Sequence, residues 1–211
     1  MAIPTRTVLI TGASSGIGRS TVSRMVESGW TVFASVRKEQ DGAQLRSDFG
    51  ARVTPIIMDV TDRRSITTAA EWDTALLGGS GLDGLINVAG QVSPVEYMSH
   101  DDLEEIFDIN VFGQIAVTRA FLPALRKARG RIVNVTSIGA HIAIPFGSLI
   151  NASKSAFAIA NAENWSARAI PCSWQFVRPE LFGGHVIVGD RSSPWFNRRS
   201  PHARGLSESG V

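Results

Sequence analysis

Thr11-Gly12-Ala13-Ser14-Ser15-Gly16-Ile17-Gly18 follows directly on the apolar run Thr7-Val8-Leu9-Ile10, and beyond it Val22, Met25, Val26 and Trp30 recur at three- and four-residue spacing. This reads as a strand, a glycine-rich turn and a helix with one buried face, closed by Gly29 at a C-cap position. Glycines at such a turn have a specific use. Lacking Cβ atoms, they allow a tight bend and let an anion approach backbone N–H groups, while the helix N-terminus behind them favours negative charge. The spacing is Gly-x-x-x-Gly-x-Gly, distinct from the commoner dinucleotide fingerprint Gly-x-Gly-x-x-Gly.

Working outward, Val- and Ile-rich runs of strand length alternate with segments of helical period, which predicts an α/β fold with a doubly wound parallel sheet. Strands are expected over Thr7–Thr11, Thr31–Ser35, Val53–Met58, Gly84–Val88, Arg131–Val135 and Trp174–Val177. No internal repeat or interdomain linker interrupts them. Residues 1–180 are therefore expected to form a single nucleotide-binding domain. From Gly183 the chain reads GGHVIVGDRSSPWFNRRSPHARGLSESGV, rich in Gly, Ser, Arg and Pro and without a sustained apolar face. Residues 181–211 are expected to be a divergent loop or disordered tail, or else an active-site loop with a frayed end.

Composition narrows the function classes. With 44% hydrophobic and 19% charged residues over 211 positions, the chain has the balance of a globular domain that buries about 70% of its unfolded surface. A net charge of +2 without a concentrated basic stripe implies no nucleic-acid partner. Cys172 is the single cysteine, so no intrachain disulfide forms, and a cytoplasmic setting is expected. The N-terminal apolar run stops at Gly12, too short for a signal-peptide core or a membrane span, so no membrane association is expected. No metal site is expected either.

Four further landmarks follow the turn in order: Asp59-Val60 at the end of the third strand, Asn87-Val88-Ala89-Gly90 after the fourth, Asp108-Ile109-Asn110-Val111-Phe112-Gly113, and Asn134-Val135-Thr136-Ser137 closing the fifth. With the turn, they resemble the short-chain dehydrogenase/reductase family over residues 6 to 179. The resemblance implies a Rossmann-like fold and an NAD(P)-dependent oxidoreductase that moves hydride between a nicotinamide and a small-molecule carbonyl or alcohol. It implies cofactor contacts at Gly12, Ser15, Gly16, Ile17 and Gly18 of the turn, at Asp59 and Val60 beside the adenine, and at Asn87, Ala89 and Gly90. Val88 stands where the family has a second asparagine. A homo-oligomer through the helices around 109–122 and 150–162 is implied in the same way.

The second strand ends in Ala34-Ser35-Val36-Arg37-Lys38, and residues after that strand face the adenosine ribose in this fold. An acidic residue there would bond a 2′-hydroxyl and repel a 2′-phosphate, whereas Arg37 donates several charge-assisted hydrogen bonds to that phosphate. NADP(H) is favoured over NAD(H), with Ser15 as an additional donor.

The family's catalytic helix carries Tyr-x-x-x-Lys, which places both side chains on one face. Counting thirteen residues on from Ser137 and four back from Lys154 reaches the same position, and it holds Ile150. By resemblance, Asn110 positions a proton-relay water and Ser137 polarises the substrate oxygen. Lys154 binds the nicotinamide ribose and would lower the tyrosine pKa. Isoleucine does no proton chemistry, and loss of a positioned acid costs about 10²- to 10⁴-fold in rate. Tyr97, the only tyrosine, lies off this helix, and His141 stands four residues beyond Ser137. Ser137 and Asn110 also admit structural uses, as a strand-end hydroxyl and as an amide satisfying buried backbone. After Phe176-Val177-Arg178-Pro179, Glu180 replaces the family's glycine, and the C-terminal part is shortened or divergent. The expectation is an NADP(H)-binding oxidoreductase impaired at Ile150, with a non-catalytic nucleotide-binding or oligomer-partner protein as the alternative.

Overall fold

The computed structural model describes residues 6–77, 80–90, 98–142, 148–164 and 172–175. Its strands are β1 Thr7–Ile10, β2 Thr31–Val36, β3 Val53–Ile57, β4 Gly84–Asn87, β5 Arg131–Val135 and β6 Cys172–Gln175. They form one six-stranded parallel sheet in the order β3-β2-β1-β4-β5-β6. The helices are α1 Gly16–Glu27, α2 Glu39–Phe49, α3 Arg63–Leu76, α4 His100–Phe107, α5 Gln114–Ala128 and α6 Ser148–Asn164. This is the doubly wound α/β architecture expected. Strand order reverses between β1 and β4, and ligands of such sheets bind beyond the carboxyl ends at that reversal.

The strands read as near-continuous apolar runs because both faces of the sheet are covered. Along β1, Leu9 packs on one side with Phe33, Leu85, Phe121, Leu125 and Ile132. Val8 and Ile10 pack on the other with Val22, Val32, Ala34 and Leu45. Alternation along one strand thus divides the core between the α3/α5 layer and the α1/α2 layer. Helix α1 ends as its glycine predicts: Gly29 has φ +84°, its N–H bonds Val26 O, and Trp30 N–H bonds Met25 O, both at 3.0 Å.

The first five strands lie within one residue of their expected bounds. The sixth begins at Cys172 rather than Trp174, because its register is set by β5, with Ile132 opposite Cys172 and Val135 opposite Gln175. The apolar run alone pointed further along the chain. Residues 181–211, Tyr97 and the Phe176–Glu180 segment lie outside the described residues. Among the described residues, no helix is long and apolar enough to cross a membrane, and no group of three or more His, Cys, Asp or Glu is placed to hold a metal.

A buried polar latch joins β1, β4 and α5. Thr11 and Gln114 are both buried. Thr11 Oγ1 accepts from Val88 N–H at 2.9 Å and Ala89 N–H at 3.1 Å, and donates to Gln114 Oε1 at 3.3 Å. Gln114 Nε2 donates in turn to Ala89 O at 2.8 Å and Ile109 O at 3.2 Å. Thr11→Val keeps the shape but leaves two backbone N–H groups and an amide oxygen without this partner, each a costly vacancy in a buried setting. The variant is expected to lose about 1–3 kcal/mol of stability in urea unfolding. Unchanged stability would show that the latch is replaceable.

Candidate active site

A cleft of about 440 Å³ opens over the β1/β4 reversal. Its floor is the glycine-rich turn. Gly12 has φ +63°, and a Cβ there would stand 2.8 Å from Ala89 Cα, so only glycine lets the β1 turn press against the segment after β4. A Cβ at Gly18 would strike the Gly12 carbonyl oxygen, which closes the turn onto the first turn of α1. Gly16 and Ile17 begin that helix and line the cleft. Ser15 occupies the N-cap position, yet its side chain makes no capping bond and is exposed at the cleft. Its hydroxyl is free to meet an anion.

The charges around this end are sorted by their partners. Arg19 in the first turn of α1 pairs with Asp48 of α2, and that hydrogen bond holds the Asp48 carboxyl below its ordinary range. Arg37 is exposed, lines the cleft, and makes no hydrogen bond or ion pair among the described residues. Asp59 lines it too, with Oδ1 accepting from Thr61 N–H at 2.9 Å and Thr61 Oγ1 at 2.8 Å. Val60 is buried beside it.

The opposite end is built from β4, β5 and α6. Ala89 and Gly90 line the cleft. A Cβ placed on Gly90 would lie 3.2 Å from Asn110 Oδ1 and 3.2 Å from Lys154 Nζ, so two side chains distant in sequence converge on this glycine. Asn110 is carried by a π-helical turn, Asp108–Gly113, rather than by the regular helix expected. Such turns recur at functional sites because the wider ring redirects a side chain. Its Nδ2 donates to Ser153 Oγ at 3.0 Å, and Ser153 Oγ donates to the Ile150 carbonyl at 3.2 Å.

Lys154 is only 6% exposed and donates to Val135 O at 3.1 Å, with the Phe157 ring 6.0 Å away. Burial lowers its pKa from 10.5 to about 8. Ile150 lies half-buried one helical turn earlier on α6. Ser137 sits two residues beyond Val135, its Oγ accepting from Gly139 N–H at 3.1 Å. Asn87 has a different surrounding: its Nδ2 donates to Thr118 Oγ1 at 3.0 Å and Asn134 Oδ1 at 2.8 Å, tying β4 to α5 and β5. His141 is exposed after the short turn that follows β5. The sequence reading overlooked Gln114 and Ser153, whose polar roles exist only through partners far along the chain.

Residues 6–163 match the family model described as short chain dehydrogenase. The chain belongs to this family. Similar proteins include Retinol dehydrogenase 16 of Rattus norvegicus, 38% identical over 64% of this chain and 44% of that protein. The human Dehydrogenase/reductase SDR family member 9 is 34% identical over 66% of this chain and 45% of its own length. A crystal structure of a short-chain dehydrogenase from Streptomyces avermitilis superposes with a TM-score of 0.73 at 29% identity, covering 97% of this chain and 78% of that one. The chain spans less than half the length of these curated relatives. Short-chain dehydrogenases as a family use nicotinamide dinucleotides, and the residues present fit one. The Gly12/Gly18 turn leaves room that Cβ atoms would fill, Ser15 and Arg37 face the cleft unpaired, and the buried Lys154 and Asn110 meet beside Gly90, which lines it.

The buried lysine has a measurable consequence. Its folded pKa is depressed, so below about pH 8 the protein carries the cost of a desolvated ammonium, and stability rises as pH climbs from about 8 toward 10.5. That cost is about 3 kcal/mol, offset in part by the Val135 hydrogen bond. Lys154→Met is expected to be more stable than the parent by about 1–3 kcal/mol at neutral pH, the gap closing as pH passes 10. Urea unfolding across this range checks it. A constant gap would mean that Lys154 binds its proton equally in the folded and unfolded chain, with no depression of its pKa.

Proposed function

We propose that the cleft binds NADP(H) in preference to NAD(H), and that the chain is an oxidoreductase of small-molecule carbonyls or alcohols whose turnover is slowed at Ile150. One observation carries this reading: Asn110 Oδ1 and Lys154 Nζ flank Gly90 at the end of the cleft, one helical turn from a position with no hydroxyl. When bound, a nicotinamide supplies or accepts the hydride. This chain's residues do the rest. The turn Gly12–Gly18 and the α1 N-terminus hold the pyrophosphate, Asp59, Val60, Ala89 and Gly90 bound the dinucleotide's path, and the buried Asn87 acts only from behind, by tying β4 to α5 and β5. Lys154 holds the ribose hydroxyls, Ser137 polarises the substrate oxygen, and Asn110 orders the polar end through Ser153.

The names of the curated relatives support an alcohol or carbonyl as substrate. A homo-oligomer through the helices around 109–122 and 150–162 belongs to the same reading, supported by Phe112 on the π turn that leads into α5 and Ile159 on α6, which are 60% and 67% exposed. A cytoplasmic setting rests on the lone Cys172.

Cofactor preference follows from Arg37, whose charge-assisted hydrogen bond to a 2′-phosphate is worth about 1.5–3 kcal/mol. NADPH is expected to bind about 10-fold or more tightly than NADH, and Arg37→Ala to remove most of that difference. Nicotinamide fluorescence titration reads both constants. Equal affinities in the parent would remove Arg37 from this role.

Position 150 is tested by restoration. Ile150→Tyr places a phenol one turn from Lys154, and turnover of a generic carbonyl is expected to rise by about 10² or more. A variant that folds and binds NADPH yet gains nothing across a broad carbonyl panel would favour a nucleotide-binding protein without catalysis.

A further inference from the structure

The parallel sheet gives the molecule two unlike ends. All its strands start at the end away from the cleft, and α1 and α5 finish there, so residues before the strands and in the last turns of those helices meet on one face. Between Asp108 and Glu163 the sequence has no acidic residue, and Arg126, Lys127, Arg129 and Arg131 fall within six consecutive positions of that stretch. They lie on the reversal from α5 into β5. All four are exposed, and among the described residues none of their side chains makes a hydrogen bond or ion pair.

Two neighbours extend the face. Arg6, just before β1, is exposed and lies 5.6 Å over the Trp30 ring, and Arg52, just before β3, is exposed and donates to Gly29 O at 2.8 Å. The carboxylates at this end are committed. Asp83, before β4, accepts from Thr7 N–H at 2.8 Å and Thr7 Oγ1 at 3.2 Å, and Glu27 pairs with Arg24 at 3.5 Å. A net charge of +2 conceals this face, because Asp101, Asp102, Glu104, Glu105 and Asp108 gather on α4 and the turn after it.

Helix C-termini attract cations in any protein, which accounts for Arg24, Arg126 and Lys127. It does not account for Arg129. That residue takes the C-cap of α5 at φ +52°, in the left-handed region that favours glycine, and its charge meets no partner among the described residues. Arg131 likewise opens a strand rather than closing a helix, and points its charge at solvent.

We propose that this face adsorbs to an anionic lipid surface, with the cleft at the opposite end turned toward solvent. The build of the face decides the partner. A pocket for one phosphate needs buried donors held in place, whereas these cations stand on exposed turns and suit headgroups that move laterally to meet them. Nucleic-acid sites add helix N-termini and open aromatic faces to their cations. This end presents helix C-termini, and the Trp30 ring is already covered by Arg6. Adsorption by charge needs no apolar segment, so the expectation of no membrane association, which rested on apolar length, is revised. The proposal stands apart from the cofactor reading.

The test is sedimentation of the full chain with vesicles of phosphatidylcholine, alone or with about one-quarter phosphatidylserine, in about 0.1 M salt. Binding to the mixed vesicles is expected to be about 10-fold or more tighter, and to fall to the level of phosphatidylcholine alone in about 0.5 M salt. Arg129→Gly is the decisive variant, because it removes one charge and relieves the left-handed position together. It is expected to lose about fivefold of vesicle affinity while its stability in urea stays level or rises. Adding Arg126→Gln and Lys127→Gln is expected to abolish the preference for phosphatidylserine. Arg63→Gln with Arg64→Gln, exposed at the start of α3 by the carboxyl ends of the strands, removes two charges and is expected to leave binding unchanged. Equal binding to both vesicles, indifference to salt, full retention by Arg129→Gly or an equal loss in the α3 variant overturns the proposal. Tighter binding of duplex DNA than of the mixed vesicles in the same buffer overturns it as well and assigns the face to nucleic acid.

Discussion

Thr11 Oγ1, no larger than a single hydroxyl, receives two backbone N–H groups from the segment after β4 and passes its own proton to Gln114. This brings together the ends of the two strands at which the sheet reverses direction. Gly12 then fits against Ala89 with no space for a Cβ, so the spacing between the two loops is set by backbone contact rather than by adaptable side chains. Everything the cleft offers depends on that spacing. The glycine-rich turn stands on one side of it, and Gly90 with its two flanking side chains on the other.

The polar groups at the two ends are held by different means. Near β2, Arg19 is neutralised by Asp48, and Arg37 extends from the strand end into solvent. Near β5, Lys154 is enclosed, with a backbone carbonyl and an aromatic ring as neighbours. An exposed guanidinium stays charged under all working conditions and suits a permanently charged phosphate. An enclosed amine gives up its proton more easily and suits a group whose charge changes during a reaction. Two basic side chains of one protein are thus held in opposite surroundings, one in solvent and one in the interior.

Much of this was legible in the sequence, and the reasons are local. Gly12, Gly16 and Gly18 mark a turn whose backbone demands leave few alternatives, and strands β1 to β5 announce themselves as apolar runs between helical segments. Ile150 was singled out by counting from two independent residues, Ser137 and Lys154, and lies one turn before Lys154 on α6. What stayed hidden depends on partners brought together only by folding. Gln114 reads as an ordinary helix glutamine until Thr11, over a hundred positions away, lies beside it. Ser153 gains its place from Asn110, and the start of β6 from the register of β5. The depressed pKa of Lys154 belongs here as well, since burial of one amine is invisible in a motif.

The π-helical turn Asp108–Gly113 joins α4 to α5 with a wider ring than an α-helix would use. A residue added to or removed from a helix rotates everything beyond it by about 100°. The turn thus acts as an angular offset between two rods: α5 keeps the phase that buries Gln114, Val117 and Phe121, while Asn110 retains the phase that meets Ser153. Were the chain to lose one residue here and relax to a regular helix, only one of these phases could survive. Length in this short stretch is accordingly more constrained than composition, and descendants of this chain can exchange side chains along it far more freely than they can insert or delete one.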